Sequence, residues 1–178
     1  MAEKYATIVI DPPWPGPGGV PAFDGQSGEG RCKLNLIPYS TMTGIQVAGL
    51  NIDDLAADDC QLFLWATGRS VGDAFLLLQL WAFKYRGIFI WQKPGLGMGR
   101  HMRNQAEFLL WGGRKGAPLV EPKNCPRQIQ CWPKPKRHSE KPPEAYEFIK
   151  SLSGGPRLDI FARQARDGFE RFGNEAPA

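Results

Sequence analysis

The sequence holds only two histidines, His101 and His138, and its four cysteines, Cys32, Cys60, Cys125 and Cys131, include no C-x-x-C spacing. No zinc site or other metal is expected from such a set, and scattered cysteines read most simply as reduced thiols. No apolar run approaches the roughly 18 residues that a membrane span needs. Met1-Ala2-Glu3-Lys4 leads directly into a strand pattern, without a basic segment followed by a hydrophobic one. The expectation is a cytoplasmic protein that makes no membrane contact. There is neither an internal repeat nor an interdomain linker, so residues 1–178 are expected to form a single domain with its own core. Two glycine-rich stretches, Gly16-Pro17-Gly18-Gly19 and Gly95-Leu96-Gly97-Met98-Gly99, lack both a following Lys-Ser/Thr and the G-x-G-x-x-G spacing into a helix. Neither is expected to cradle phosphate.

Acidic residues are scarce in the middle of the chain. From Lys84 to Lys141 there are thirteen Lys/Arg against Glu107, Glu121 and Glu140 only, a balance of +10 within a chain whose net charge is +4. A basic middle on a mildly acidic frame is the footprint of a nucleic-acid binder, although a solvated basic face would leave the same composition. Lys134-Pro135-Lys136-Arg137-His138 is basic and extended, and Lys134, Lys136 and Arg137 are the candidates to touch phosphates.

What is present is organised around Asp11-Pro12-Pro13-Trp14, which closes the apolar run Ala6-Thr7-Ile8-Val9-Ile10. Such a run reads as a buried parallel strand, and in open α/β sheets ligands bind at the carboxyl ends of the strands. Proline has no N–H, so pairing must stop there, leaving a stiff turn with one carboxylate, two carbonyls expected to be unpaired and a flat indole. That set suits a planar group bearing an NH2, as adenine does, with Asp11 and the Pro12 carbonyl accepting its hydrogens and Trp14 stacking on the ring. The prolines could equally be loop punctuation and Trp14 a core residue.

Further along, Thr43 is a plausible N-cap for a helix over about Gly44 to Leu50, preceded by Tyr39 on a loop. Strands are expected at Leu62–Thr67, Gly87–Trp91, Ala106–Trp111 and Arg157–Arg163, with a short strand-like piece at Gln128–Trp132. Helices are expected at Val71–Phe83, apolar all round, and from Pro142-Pro143 to Gly154-Gly155. Strand, helix, strand alternation argues for an α/β sheet with right-handed crossovers.

Seven short motifs in order now make the chain recognisable. They are Asp11-Pro12-Pro13-Trp14, Tyr39-Ser40-Thr41-Met42, Phe63-Leu64-Trp65-Ala66-Thr67, Ile90-Trp91-Gln92-Lys93, His138-Ser139-Glu140-Lys141-Pro142, Leu158-Asp159-Ile160-Phe161-Ala162-Arg163 and Gly173-Asn174-Glu175. Together they resemble the DPPW-motif adenine-N6 methyltransferase family, which includes the catalytic subunit of the eukaryotic mRNA adenosine methyltransferase. The short chain looks like a bacterial or phage version.

The resemblance implies a Rossmann-like, S-adenosylmethionine-dependent α/β fold in permuted order, the catalytic motif preceding the cofactor strand. It implies that Asp11, Pro12, Pro13 and Trp14 form the target-base site, with Asp11 also near the methionine part of the cofactor. Lys141 would face the cofactor carboxylate or the adenine edge and Arg163 the ribose, with Asp159 and Phe161 in the same cofactor motif. Asn174 and Glu175 would face the cofactor adenine, while Tyr39 and Glu107 match positions lining the base pocket. Where eukaryotic members carry His and Asn shortly after the arginine matching Arg163, this chain has Ala165 and Arg166. The expected activity is methyl transfer to adenine N6, on DNA before RNA, with a homodimer as one candidate assembly. A catalytically silent nucleic-acid-binding subunit is the alternative from another class, and the intact Asp-Pro-Pro-Trp argues against it.

Overall fold

The computed structural model describes residues 4–15, 41–97, 102–137 and 140–172. Tyr5–Ile10 forms β1, in which Ile8 and Ile10 face one side of the sheet and Val9 the other, all three fully buried. A strand covered on both faces has no solvent side to alternate with, which is why it reads as a continuous apolar run. With β2 (Ala56–Ala66), β3 (Lys84–Gln92), β4 (Ala106–Gly113), β5 (Ile129–Gln130), β6 (Arg157–Ile160) and β7 (Glu170–Phe172) it builds a seven-stranded sheet in the order β5-β3-β4-β2-β1-β6-β7. β1 is parallel to β2 and β6, β6 to β7, and β3 to β5, whereas β4 is antiparallel to both β2 and β3.

Helices cover both faces, giving the expected α/β architecture. On one side α1 (Gly44–Ala48), α2 (Ile52–Leu55) and α3 (Val71–Leu80) bury Val47, Ile52, Ala74, Leu77 and Leu78 against Ile8, Ile10, Leu62 and Leu64. On the other, α4 (Pro143–Leu152) lays Ala145, Tyr146, Ile149 and Leu152 on Val9, Phe63 and Trp65. Thr43 caps α1 as expected, through a capping box with Gln46. α3 approaches β4 so closely that a Cβ at Gly112 would stand 2.8 Å from Leu78 Cδ2 and 3.0 Å from Phe83 Cβ, so this position requires glycine.

Several boundaries differ from the sequence reading, each for a local reason. β2 begins at Ala56 rather than Leu62, because the exposed Asp58 and Asp59 interrupt its apolar pattern without ending its pairing. The four-residue α2, with two acids, is too short to show a period. β5 keeps only two of the five residues expected at Gln128–Trp132. β6 stops at Ile160, because Phe161 turns into the left-handed region at φ 66°, and Arg163 therefore lies beyond the strand. β7 was not anticipated, and it joins β6 in parallel after an excursion over residues 161–169 that turns at Gly168, φ 77°.

α3 ends in a Schellman geometry. Phe83 N–H donates to Leu78 O at 2.8 Å and Ala82 N–H to Gln79 O at 3.1 Å, which puts Ala82 at φ 58° where glycine is the usual residue. Ala82 is exposed, so its methyl contributes little packing. Ala82→Gly is expected to stabilise the fold by about 0.5–1 kcal/mol by relieving the left-handed penalty. Urea unfolding measures it, and a variant no more stable than the parent would refute the strain argument.

Candidate active site

The carboxyl ends of β1, β2 and β3 share one edge of the sheet, and the single reversed strand β4 starts there with Ala106 and Glu107. A cavity of about 460 Å³ opens along this edge, and its wall includes Asp11, Trp65, Lys93, Glu107, Lys141 and Arg163. Residues distant in sequence meet because one antiparallel strand delivers its beginning where the parallel strands finish.

Four of them form an alternating chain of charge. Lys141 Nζ donates to both Asp11 carboxylate oxygens at 2.7 Å and lies 3.4 Å from Glu107 Oε2, while Lys93 Nζ donates to Glu107 Oε1. The lysines rest on aromatic faces, Lys141 5.3 Å from the Trp65 ring centre and Lys93 4.8 Å from that of Trp91. Burial works against the Lys141 ammonium, but Asp11 and Glu107 outweigh it and hold the amine protonated, above its usual range. Burial also opposes a charge on Glu107, yet Lys141 and Lys93 keep its carboxyl below the ordinary value. Asp11 is pushed up by burial, and Lys141 pulls it back only in part. Asp11 is thus an oriented carboxylate within a nearly neutral cluster.

The turn after β1 departs from the expected free carbonyls. Pro12 O accepts from Trp14 N–H at 2.7 Å and Pro13 O from Met42 N–H at 2.9 Å, because the chain folds back on itself and brings α1's leading residues against the turn. Pro12 O therefore retains one lone pair for a ligand, not two. Trp14 combines the two readings the sequence left open. It is 8% exposed and packed in the core, its Nε1 donates to Trp65 O at 2.8 Å, and it still lines the cavity. It is a fixed wall of the cavity, and its removal would cost stability.

Lys134 lines the cavity, whereas Lys136 and Arg137 are exposed and outside its wall. Arg163 borders both this cavity and a second, water-sized one of about 20 Å³, whose lining also includes Asp11, Phe161 and Arg166. Tyr39, Asn174 and Glu175 lie outside the described residues. Sequence reasoning did not select Lys93, Trp65 or Arg69 as site residues, although all three line the larger cavity. Lys93 and Trp65 lie within motifs at strand ends, which was the available signal; Arg69 sits in the turn before α3, where one arginine carries none.

Asp159 lines neither cavity. It is 1% exposed on β6, next to Val9 in the ladder, and neither carboxylate oxygen has a well-formed hydrogen bond, although the Tyr146 hydroxyl faces it as a donor. Burial pushes its carboxyl from 3.8 up to about 7, with Tyr146 and Arg166 only partly offsetting the loss of water. The folded protein then binds more protons than the unfolded chain between these values, so Asp159 makes stability fall as pH rises through that window. The stability of Asp159→Asn relative to the parent is expected to climb between about pH 4 and 7, by up to a few kcal/mol, and to level off above it. Denaturant unfolding at several pH values tests this, and a flat difference would refute the raised carboxyl.

Comparison with known proteins agrees with this geometry. The MT-A70 family model matches residues 5–175. The type II methyltransferase M.MunI of Mycoplasma sp is 30% identical over 186 residues, covering 98% of this chain and 79% of that relative. The human N(6)-adenosine-methyltransferase catalytic subunit METTL3 is 28% identical over 172 residues, 90% of this chain but 26% of the relative, and mouse N(6)-adenine-specific methyltransferase METTL4 is 26% identical over 193 residues, 97% and 38%. The chain thus spans only part of the eukaryotic proteins but most of the mycoplasmal one. With the family matched along nearly its whole length and Asp11-Pro12-Pro13-Trp14 at the carboxyl end of β1, the chain belongs to the MT-A70 family of adenine-N6 methyltransferases.

Proposed function

We propose that this protein transfers the methyl group of S-adenosylmethionine to the N6 amine of adenine in DNA. The observation that carries the reading is Asp11, held by Lys141 in the wall of a cavity large enough for a flat base. The compact match to a type II methyltransferase, against a quarter-length match to METTL3, favours DNA over RNA. Among the described residues no helix is long and apolar enough to cross a membrane, and the cavity rim carries Arg69 and Lys134, suited to flanking phosphates.

The donor set fits the cofactor. A zwitterionic amino acid attached to a nucleoside needs a cation for its carboxylate and an anion for its ammonium, and Lys141, Arg163 and Asp11 stand together between the two cavities. Asn174 and Glu175 would complete the site around the adenine end. When bound, S-adenosylmethionine supplies a methyl activated by positive sulfur.

The protein's own contribution is orientation. The lone pair of an adenine amine is delocalised into its ring, so a catalyst must draw the N–H bonds out of the plane. A carboxylate has about four acceptor positions, and with Lys141 occupying one on each oxygen Asp11 keeps others for these hydrogens. Lys141 keeps Asp11 aimed and favours its charged form, and Glu107 and Lys93 in turn keep Lys141 in place. Trp14 and Trp65 exclude water from the walls. A duplex base must leave its stack to enter, at a cost of a few kcal/mol.

Transfer of labelled methyl to matched single-stranded DNA, duplex DNA and RNA, followed by nucleoside identification, tests the reading. N6-methyladenine in DNA is expected; label in RNA alone would overturn the substrate, and label in no nucleic acid would overturn the activity. Asp11→Asn keeps the side chain's shape but removes the anionic acceptor. It is expected to lower kcat about a hundredfold or more with little change in nucleic-acid affinity; activity within tenfold of the parent would exclude the assigned role.

Replacing Lys134, Lys136 and Arg137 together by Ala is expected to weaken binding to different sequences about equally. The slope of log affinity against log salt should flatten by about two to three units, at roughly 0.7–0.9 per phosphate contact. An unchanged slope would show this run to be solvated, with the strand following another path.

A further inference from the structure

The connection between β6 and β7 sends Arg166 back into the molecule, where its side chain is nine-tenths buried. It touches three groups there. Nη2 donates to Lys141 O at 3.0 Å, Nε stands 4.0 Å from Asp159 Oδ2, and the guanidinium carbon lies 3.7 Å from the centre of the Tyr146 ring. A hairpin closed by the Phe169 N–H to Arg166 O bond, 3.2 Å, fixes the backbone from which it reaches.

Lys141 precedes two prolines, and in α4's opening turn the Ala145 N–H goes to Pro142 O. Arg166 gives the Lys141 carbonyl a charge-assisted bond from outside the helix that follows it. Asp159 is a buried carboxylate that faces the Tyr146 hydroxyl, and Arg166 is a cation placed against it. The Tyr146 ring covers the guanidinium's face, so the planar group has one available orientation. Beyond Lys141 the chain of contacts continues to both oxygens of Asp11.

We propose that Arg166 is a positioning residue for methyl transfer: anchored by Asp159 and Tyr146, it pins the backbone of Lys141 and so sets the direction in which Lys141 holds Asp11. This rests on the reading of Asp11 and Lys141 as the reaction centre. A lysine at this position could keep a charge beside Asp159 but could not also reach Lys141 O from the same rigid fork. A single misdirected bond at the Lys141 carbonyl would be passed to the Asp11 carboxylate, where an offset of about 1 Å is costly.

The test measures kcat, and KM for both substrates, in Arg166→Ala, Arg166→Lys and each combined with Asp159→Asn, on whichever nucleic acid the parent methylates. A fall in kcat of at least about tenfold is expected in both single variants, with either KM moving less than about threefold, and Asp159→Asn adding little to Arg166→Ala. A kcat within threefold of the parent, a loss confined to cofactor affinity, or fully additive effects would each overturn the proposal.

The NMR signal of the Lys141 side-chain ammonium in the ligand-free protein gives a second reading, independent of activity and available from Arg166→Lys if the alanine variant does not fold. It is expected to shift or broaden in the variant, and an unchanged signal would overturn the proposal. A parent that methylates nothing while this signal still responds to Arg166 would refute the functional reading alone.

Discussion

The site depends on a buried ion pair joining the end of the first strand to the segment that opens the last helix. Lys141 holds both oxygens of Asp11, and each favours the charged form of the other, because isolated charges are expelled from apolar surroundings or neutralised. Such a pair is weak as a source of stability. Its value is geometric: a carboxylate held by two short bonds has one direction, set before any ligand arrives.

The sheet topology is arranged around this requirement. β1 and β2 reach the edge as parallel strands, and β4 runs against them so that Glu107 arrives from its start instead of its end. Glu107 shares Lys141 with Asp11, and Lys93 at the end of β3 balances Glu107. The aromatic floor of Trp65 and Trp91 lets the two ammonium groups be partly dehydrated without losing all favourable contact. Trp14 belongs to the same economy of parts, since its indole is committed to the core and to Trp65 O while its remaining surface borders the cavity.

On the far side of Asp11 a second buried group of residues meets the site. Asp159, Tyr146 and Arg166 lie beneath the wall of the cavity and face the segment that carries Lys141. A carboxylate buried this deeply is a cost to the fold, and costs of this kind are tolerated where they position a functional group.

Much of this was legible before any coordinates. The apolar run closed by two prolines, the Thr43 cap, the helix opened by Pro143 and the α/β class follow from local chemistry: missing N–H groups, capping oxygens and the period of buried side chains. The family was legible too, because its motifs sit in short contiguous stretches at strand ends. Tertiary structure decided what no local pattern contains. The occupied carbonyls of Pro12 and Pro13 depend on Met42 and Trp14 folding back against the turn, and β7 is a strand only because β6 offers it an edge. The direction of β4 placed Glu107 in the site, and the raised Asp159 carboxyl reflects a burial that Tyr146 and Arg166 only partly offset. Charge pairing and desolvation are properties of neighbours in space, and a sequence orders only neighbours along the chain.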